Sequence, residues 1–368
     1  MSKIFELYGY KLSCWNDEAE DNLKNVFCPF MNSECDGGGN RYLSAINLKT
    51  NQQLKKRIKN RDLIQVGVCS LQVHENEQPW IICPRRLFSI RNVNLSRYQS
   101  IIREKIAEYS GFIKGVNYKV WSEIKIKTEV TTEEDEMKTF DYTFDYIVSG
   151  TSRKKIVEIS SLLSITPELI RRTAEKNGYT VTQRNSEYWI DDFPVDPIFI
   201  IEVMTSSTSG GDKKKRTQIA MAFEDAILHG INHNAPGINY RQVWARMVSQ
   251  LIVKSQVALS WNSHTIWLVQ DVLADYISKS TALALPDYLS EILNEVNILS
   301  IGYGDTINDK NENILELKET KLYSGPISEG NNIKSKGFID IVKLGAPPPK
   351  EQIWKSLLNK SPIGNWKV

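Results

Sequence analysis

The stretch Ile198-Phe199-Ile200-Ile201-Glu202-Val203-Met204 is the most informative in the chain, because a single carboxylate interrupts an otherwise apolar run. Such a run reads as a central strand buried on both faces of a sheet. Glu202 is then an ionised group inside that strand, which costs on the order of several kcal/mol unless a cation or hydrogen-bond donors meet it. Something charged is therefore expected against it. One solution is a second carboxylate with a divalent metal ion. The other is an ion pair with one of the cations Lys213 to Arg216 that close the next loop.

Upstream, two segments alternate with the period of a strand. In Trp121 to Val130, Ile124, Ile126 and Val130 point one way, and Glu123, Lys125, Lys127 and Glu129 the other. In Phe140 to Val148, Phe140, Tyr142, Phe144, Tyr146 and Val148 form one face, and Asp141, Thr143, Asp145 and Ile147 the opposite one. Asp145 is the natural partner for Glu202, with Glu123 as a further candidate. Mg²⁺ takes one or two carboxylates and completes its shell with phosphate oxygens and water. A rival registration uses Glu123-Ile124-Lys125, itself an acid-x-Lys pattern on a charged strand face.

Downstream, Thr205-Ser206-Ser207-Thr208-Ser209-Gly210-Gly211 leads into Asp212 and then Lys213, Lys214, Lys215 and Arg216. A hydroxyl-rich loop ending in cations beside an acidic seat is where a nucleic-acid backbone would be gripped. Amphipathic helices follow, one with Ile219, Phe223, Ala226 and Ile227, the next from Tyr240 to Leu259 with Val243, Met247 and Leu251 as its stripe. Thr265 to Val269 is another apolar strand, with a helix through Ala274. Strands interleaved with helices predict an α/β fold with a mixed sheet. Between Asp145 and Glu202, residues 151–192 contain two short helices and a hairpin, the pattern of a winged helix-turn-helix. Arg171 and Arg172 would then face a DNA groove; a plain structural insertion fits the same residues.

All five cysteines precede residue 84. Cys28, Cys35, Cys69 and Cys83 form two pairs bent by Pro or Gly, the arrangement a four-thiolate ion requires. Cys14 reads as a buried small hydrophobe. The chain has 368 residues and a formal charge of +2, which excludes polyanion binding by bulk charge. Its 41% hydrophobic content excludes disorder. No apolar h-region follows Met1 and no uncharged apolar stretch of about 18 residues occurs, so a cytoplasmic chain is expected, neither exported nor membrane-spanning. Three regions are predicted: a cysteine module at 1–95, an α/β core at 96–300, and a C-terminal extension at 301–368 packed on that core.

Taken together, these residues resemble the NotI-type restriction endonucleases, Type II enzymes that join a four-cysteine metal site to a PD-(D/E)xK nuclease core. The resemblance rests on Cys28-Pro29-Phe30, Cys35, Gly67-Val68-Cys69 and Cys83-Pro84. It continues in Phe144-Asp145-Tyr146, Ile201-Glu202-Val203-Met204-Thr205, Ala226 to Ile231 and Val243-Trp244-Ala245-Arg246, and fades over the last hundred residues or so. It implies a structural ion on Cys28, Cys35, Cys69 and Cys83, iron in that family and zinc by thiolate chemistry alone, and catalytic Mg²⁺ on Asp145 and Glu202. It also implies a homodimer cutting double-stranded DNA at a specific sequence. Met204 departs from it, since the family has an amide or ammonium side chain there. Either Lys125 or one of Lys213 to Lys215 supplies that group, or the chain is a metal-stapled DNA-binding regulator without nuclease activity. A nicking or repair nuclease is the remaining alternative.

Overall fold

The computed structural model describes residues 2–38, 45–58, 61–90, 96–131, 137–230, 233–280, 284–327, 338 and 349–367. The N-terminal part is built from short pieces: β1 (Lys3–Leu7), β2 (Tyr10–Lys11), α1 (Asp17–Asn25), β3 (Phe27–Cys28), β4 (Ser33–Glu34), β5 (Ala45–Asn47), α2 (Gln52–Arg57), β6 (Leu63–Gln65), β7 (Val68–Gln72), β8 (Trp80–Ile81) and α3 (Pro84–Leu87). A four-stranded sheet in the order β2-β1-β7-β8 and the ribbons β3-β4 and β5-β6 make up its strands. Asn16 and Asn51 start α1 and α2 by accepting the backbone N–H groups of Ala19 and Leu54.

The rest is α/β. It runs α4 (Ser100–Ser110), β9 (Asn117–Thr131), β10 (Met137–Lys155), α5 (Ile156–Leu163), α6 (Pro167–Lys176), β11 (Val181–Arg184), β12 (Glu187–Met204), α7 (Ile219–His229), α8 (Tyr240–Ser260), β13 (His264–Gln270), α9 (Asp271–Ser280), β14 (Val296–Gly302), β15 (Glu319–Gly325), α10 (Glu351–Leu358) and β16 (Gly364–Lys367). The large sheet has the order β15-β14-β13-β12-β10-β9-β16, with β11 added on β12. It is mixed: β12, β13 and β14 run parallel, while β9, β10, β15 and β16 join antiparallel. Helices flank it. Phe199, Ile201, Val203, Ile266 and Leu268 bury one face beneath α4 residues Ile102 and Ile106. Ile198 and Ile200 bury the other beneath Val257 and Ala258 of α8 and Trp261 just after it.

Several expectations change here. Residues 151–192 are not a unit set apart from the sheet: their outer parts are continuations of β10 and β12, and α5 and α6 pack with α10 in one hydrophobic cluster. Tyr179 donates its hydroxyl to the Leu357 carbonyl of α10 at 2.7 Å. Residues 301–368 supply β15 and β16, the two outermost strands of the path, and the boundary read at residue 300 falls inside β14. The stripe of α7 faces the N-terminal part, where Phe223, Ala226 and Ile227 join Tyr8, Leu54 and Cys69.

The single alternation expected through Phe140 to Val148 is also corrected. Tyr142 and Phe144 pack on the α8 side, but Tyr146 and Val148 pack on the opposite side. In β9 the faces exchange in step, since Tyr118 and Val120 lie with Tyr146 whereas Ile124 and Ile126 lie with Phe144. The switch occurs where Asp145 stands opposite Glu123, and Glu123 has the left-handed φ of 52°. A non-glycine residue adopts that conformation only where its surroundings fix it. Phe140 itself has a side chain outside the described residues, as do Glu129, Val130 and Trp244.

Candidate active site

At this irregularity the ladder between β10 and β12 stops. Its last pair is Tyr146 with Ile201. One residue further on, the backbones no longer bond to each other but to each other's carboxylates: the Asp145 N–H donates to Glu202 Oε1 at 3.3 Å, and the Val203 N–H donates to Asp145 Oδ2 at 2.9 Å. Beyond this exchange β10 continues with β9 while β12 continues with β13. The fork opens a pocket of about 480 Å³ lined by Asp141, Tyr142, Thr143, Asp145, Glu202, Val203, Met204, Gln250, Val253 and Lys254.

Glu202 is 1% exposed and is met by a cation. The Lys254 ammonium, from the middle of α8, donates to Glu202 Oε2 at 2.5 Å. Its charge also lies 5.6 Å from the Phe144 ring and 5.5 Å from the Trp267 ring, both faces of which favour a cation. Burial pushes the Glu202 carboxyl up to about 8 and the Asp145 charge adds to this, while Lys254 and the Asp145 N–H pull it back. The pair therefore holds a proton readily at neutral pH, and anything cationic entering the pocket competes with that proton. Asp145 is half-buried at the pocket mouth. Two carboxylates a strand apart that line one pocket are a donor set suited to a hard divalent cation.

The sequence reading placed the ammonium elsewhere. Lys125 is exposed on β9 opposite Thr143, and Lys213, Lys214 and Lys215 are exposed on the loop; none of them lines the pocket. Met204 lines it two residues after Glu202 as an apolar wall that also packs toward Trp267. The signal for Lys254 was present: it continues the buried stripe Val243, Met247, Leu251 toward Ala258, where a charge is out of place. Glu123 stands beside Asp145 on a second, smaller groove, with Arg85 3.9 Å away.

The remaining predicted contacts are spread over the surface. Arg216 is held by Asp225 at 2.7 Å and Glu224 at 3.2 Å on α7. Arg171 pairs with Glu168 and Glu175, and Arg172 with Glu168, all on α6 itself. Pairs at the surface are screened by water and salt and exchange easily for another anion.

Cys28, Cys35, Cys69 and Cys83 are buried around one small cavity, together with Asp36, Gly38 and Arg85. None of the five cysteines forms a disulfide, and Cys14, half-buried rather than buried, donates to the Lys310 carbonyl at 3.4 Å. Burial raises all four thiols of the cluster, Cys28 to about 12, with neighbouring cysteines adding to the rise at Cys28, Cys35 and Cys69. Backbone N–H groups oppose it: those of Phe30 and Met31 at Cys28, Gly37 at Cys35, and Arg85 and Arg86 at Cys83. Donors aimed at sulfur favour the thiolate, the form that binds metal. Among the described residues, however, no group of three or more His, Cys, Asp or Glu side chains is already arranged to hold an ion. Neutral thiols have no reason to close on a common point without one.

Comparison of this chain with protein-family models, with curated proteins and with solved structures gives no match. Among the described residues, no helix is long and apolar enough to cross a membrane.

Proposed function

We propose that this chain is a Type II restriction endonuclease of the PD-(D/E)xK kind, hydrolysing double-stranded DNA at a specific sequence with Mg²⁺. The observation that carries the reading is the convergence of Asp145, Glu202 and Lys254 on one open pocket where two strands part. Asp145 and Glu202 would hold the ion. When bound, it supplies positive charge to the scissile phosphate and lowers the pKa of a coordinated water. Lys254 takes the part that Met204 cannot: its ammonium is fixed beside Glu202 and can orient the attacking water or balance charge on the phosphorane. Met204 and Val253 give the pocket an apolar wall beside the carboxylates.

The Cys28, Cys35, Cys69 and Cys83 thiolates would hold a structural ion, iron or zinc, with all four positions filled and none open for chemistry. Lys213, Lys214, Lys215 and Arg216 are the candidate phosphate contacts, and Arg171 and Arg172 more peripheral ones. Cutting both strands of a palindromic site calls for two pockets related by a two-fold axis, hence a homodimer. The lysine beside Glu202 argues against the regulator without nuclease activity as far as that reading rests on Met204; its other support is the helix-turn-helix-like pattern of residues 151–192.

Plasmid incubated with the protein and Mg²⁺, beside a Glu202→Ala variant, tests the proposal. Discrete double-strand fragments from wild type alone are the expected result. Relaxed circles would indicate a nickase, and no cleavage by either protein would remove the enzyme reading.

A further inference from the structure

Arg85 is the side chain common to the thiol cavity and the groove beside Asp145. It lies two residues after Cys83, at the start of α3, and is largely buried, its side chain 16% exposed. Its Nε donates to Asp36 Oδ2 at 3.2 Å, and Asp36 directly follows Cys35. Its Nη1 donates at 3.1 Å to the hydroxyl of Tyr146, the neighbour of Asp145 on β10. Its Nη2 lies 3.9 Å from Glu123 Oε1, at the left-handed residue opposite Asp145. Both ends of this link are themselves fixed. Asp36 Oδ1 accepts the Gly38 N–H at 3.0 Å, and Tyr146, 2% exposed, packs edge-on against Phe88 at 5.8 Å. A planar guanidinium with directional donors transmits position in a way that a flexible ammonium does not.

We infer that Arg85 is a positioning residue through which the state of the cysteine cluster sets Asp145 and hence divalent-ion binding in the pocket. Loading the thiols with an ion, or stripping it, would move the segments carrying Cys35 and Cys83. Those segments hold Asp36 and Arg85, and Arg85 holds Tyr146, next to Asp145 on β10, and lies close to Glu123, opposite Asp145 on β9. The inference rests on the proposed function only in taking Asp145 and Glu202 as the seat of the divalent ion.

The sign of one measurement separates positioning from simple charge. Removing a cation near two carboxylates tightens divalent-ion binding through electrostatics alone; removing a positioning residue weakens it. Mn²⁺ is the probe, titrated by electron paramagnetic resonance into the purified full chain, with thermal melting and the metal content of the thiol site recorded for every variant. Arg85→Gln and Asp36→Asn should each weaken Mn²⁺ binding by about tenfold, within the usual range of coupling between sites. Arg85→Lys should recover only part of the loss, and the melting temperature and thiol-bound metal should stay near wild type. Cys35→Ser should weaken binding in the wild-type background and add little to Arg85→Gln. Asp36→Asn leaves every thiol in place but removes an anion, which weakens Mn²⁺ binding by charge alone, so if Cys35→Ser misfolds the test is the cycle in which Asp36→Asn adds little to Arg85→Gln. Unchanged or tighter binding in Arg85→Gln and Asp36→Asn, or multiplicative effects of Cys35→Ser and Arg85→Gln, overturns the inference while the carboxylate site stands. A wild-type chain that binds no Mn²⁺, or whose binding survives Glu202→Ala, overturns the carboxylate site and the inference with it.

Discussion

Replacing Lys360 with methionine tests whether the irregularity at Asp145 is held from outside the two strands that contain it. Glu123 has a φ of 52°, and the Lys360 ammonium collects the carbonyls on either side of its Cα, those of Ser122 and of Glu123 itself, the latter at 3.0 Å. Methionine keeps the length of the stem and removes the charge. A hydrogen bond from a charged donor contributes about 1.5–3 kcal/mol, but Glu123 is exposed and water can replace the bond to its carbonyl. One bond's worth, roughly 2 kcal/mol, should therefore be lost, which lowers the melting temperature of a 368-residue chain by about 2–3 °C. The cost to cleavage should be larger than the cost to folding. Asp145 faces the irregularity, and a displacement of about 1 Å in a reacting group costs up to about a hundredfold in rate. The assay is plasmid cleavage at saturating Mg²⁺ beside a urea melt, with Lys360→Arg as the variant that retains the charge. A Lys360→Met protein that cleaves at the wild-type rate, or that loses activity only in proportion to its unfolded fraction, would refute the argument that this ammonium sets the backbone around Asp145.

Lys254→Met should lower the cleavage rate by about a hundredfold or more, the usual effect of deleting one charge-stabilising donor, with far-UV circular dichroism unchanged because Glu202 can take up a proton in place of the lost cation. Cys69→Ser should abolish metal at the thiol site, read by elemental analysis, and lower the melting temperature of the N-terminal part. Asp271 gives a pH test remote from the pocket. Burial, aided by Asp275 and Glu319 and opposed by the Val272 N–H and Lys321, lifts its carboxyl from 3.8 to about 6. The folded chain thus holds this proton more tightly than the unfolded one between those values, and the stabilisation is lost as pH rises through about 6. Asp271→Asn, which keeps an acceptor for the Val272 N–H, should be more stable than wild type by roughly 1–3 kcal/mol at pH 7.5 and indistinguishable near pH 4, read by urea melts at both values.

How far the sequence reveals this site depends on which residues break a pattern. Glu202 is legible because a charge inside an apolar run has no place in a buried strand, and Asp145 because it recurs at strand period on an aromatic-backed segment. Lys254 breaks a pattern too, but a weaker one: lysines commonly lay their stems along an apolar helix face and send the ammonium to water. Only the strand that brings Glu202 beneath α8 makes this one a buried partner. The reversal of faces at Asp145 is hard to read in the alternation, because Phe144 and Tyr146 look equally apolar whichever way they point; Asp141 and Thr143 before it are exposed, and only the apolar Ile147 after it marks the change. The outer strands are illegible for a different reason. β16 is four residues long and is a strand only because β9 offers it an unpaired edge.

The charges in the pocket explain why its two acids interrupt the ladder. Asp145 and Glu202 bring two negative charges and Lys254 one positive, and without a further cation the excess is relieved by the proton that burial favours on Glu202. Under the proposed function a divalent ion would reverse the balance to one positive charge, which a phosphodiester would then neutralise. Such exchanges need carboxylate oxygens that reach solvent, yet a continuous β10-β12 ladder would bury the strand where Glu202 lies. The geometry resolves this by letting Asp145 and Glu202 take over the backbone N–H groups at the point of parting. The same carboxylates end the ladder, satisfy its last donors and line the opening they create. A substitution that restored the β10-β12 ladder past Tyr146 would therefore stabilise the sheet and close the pocket together.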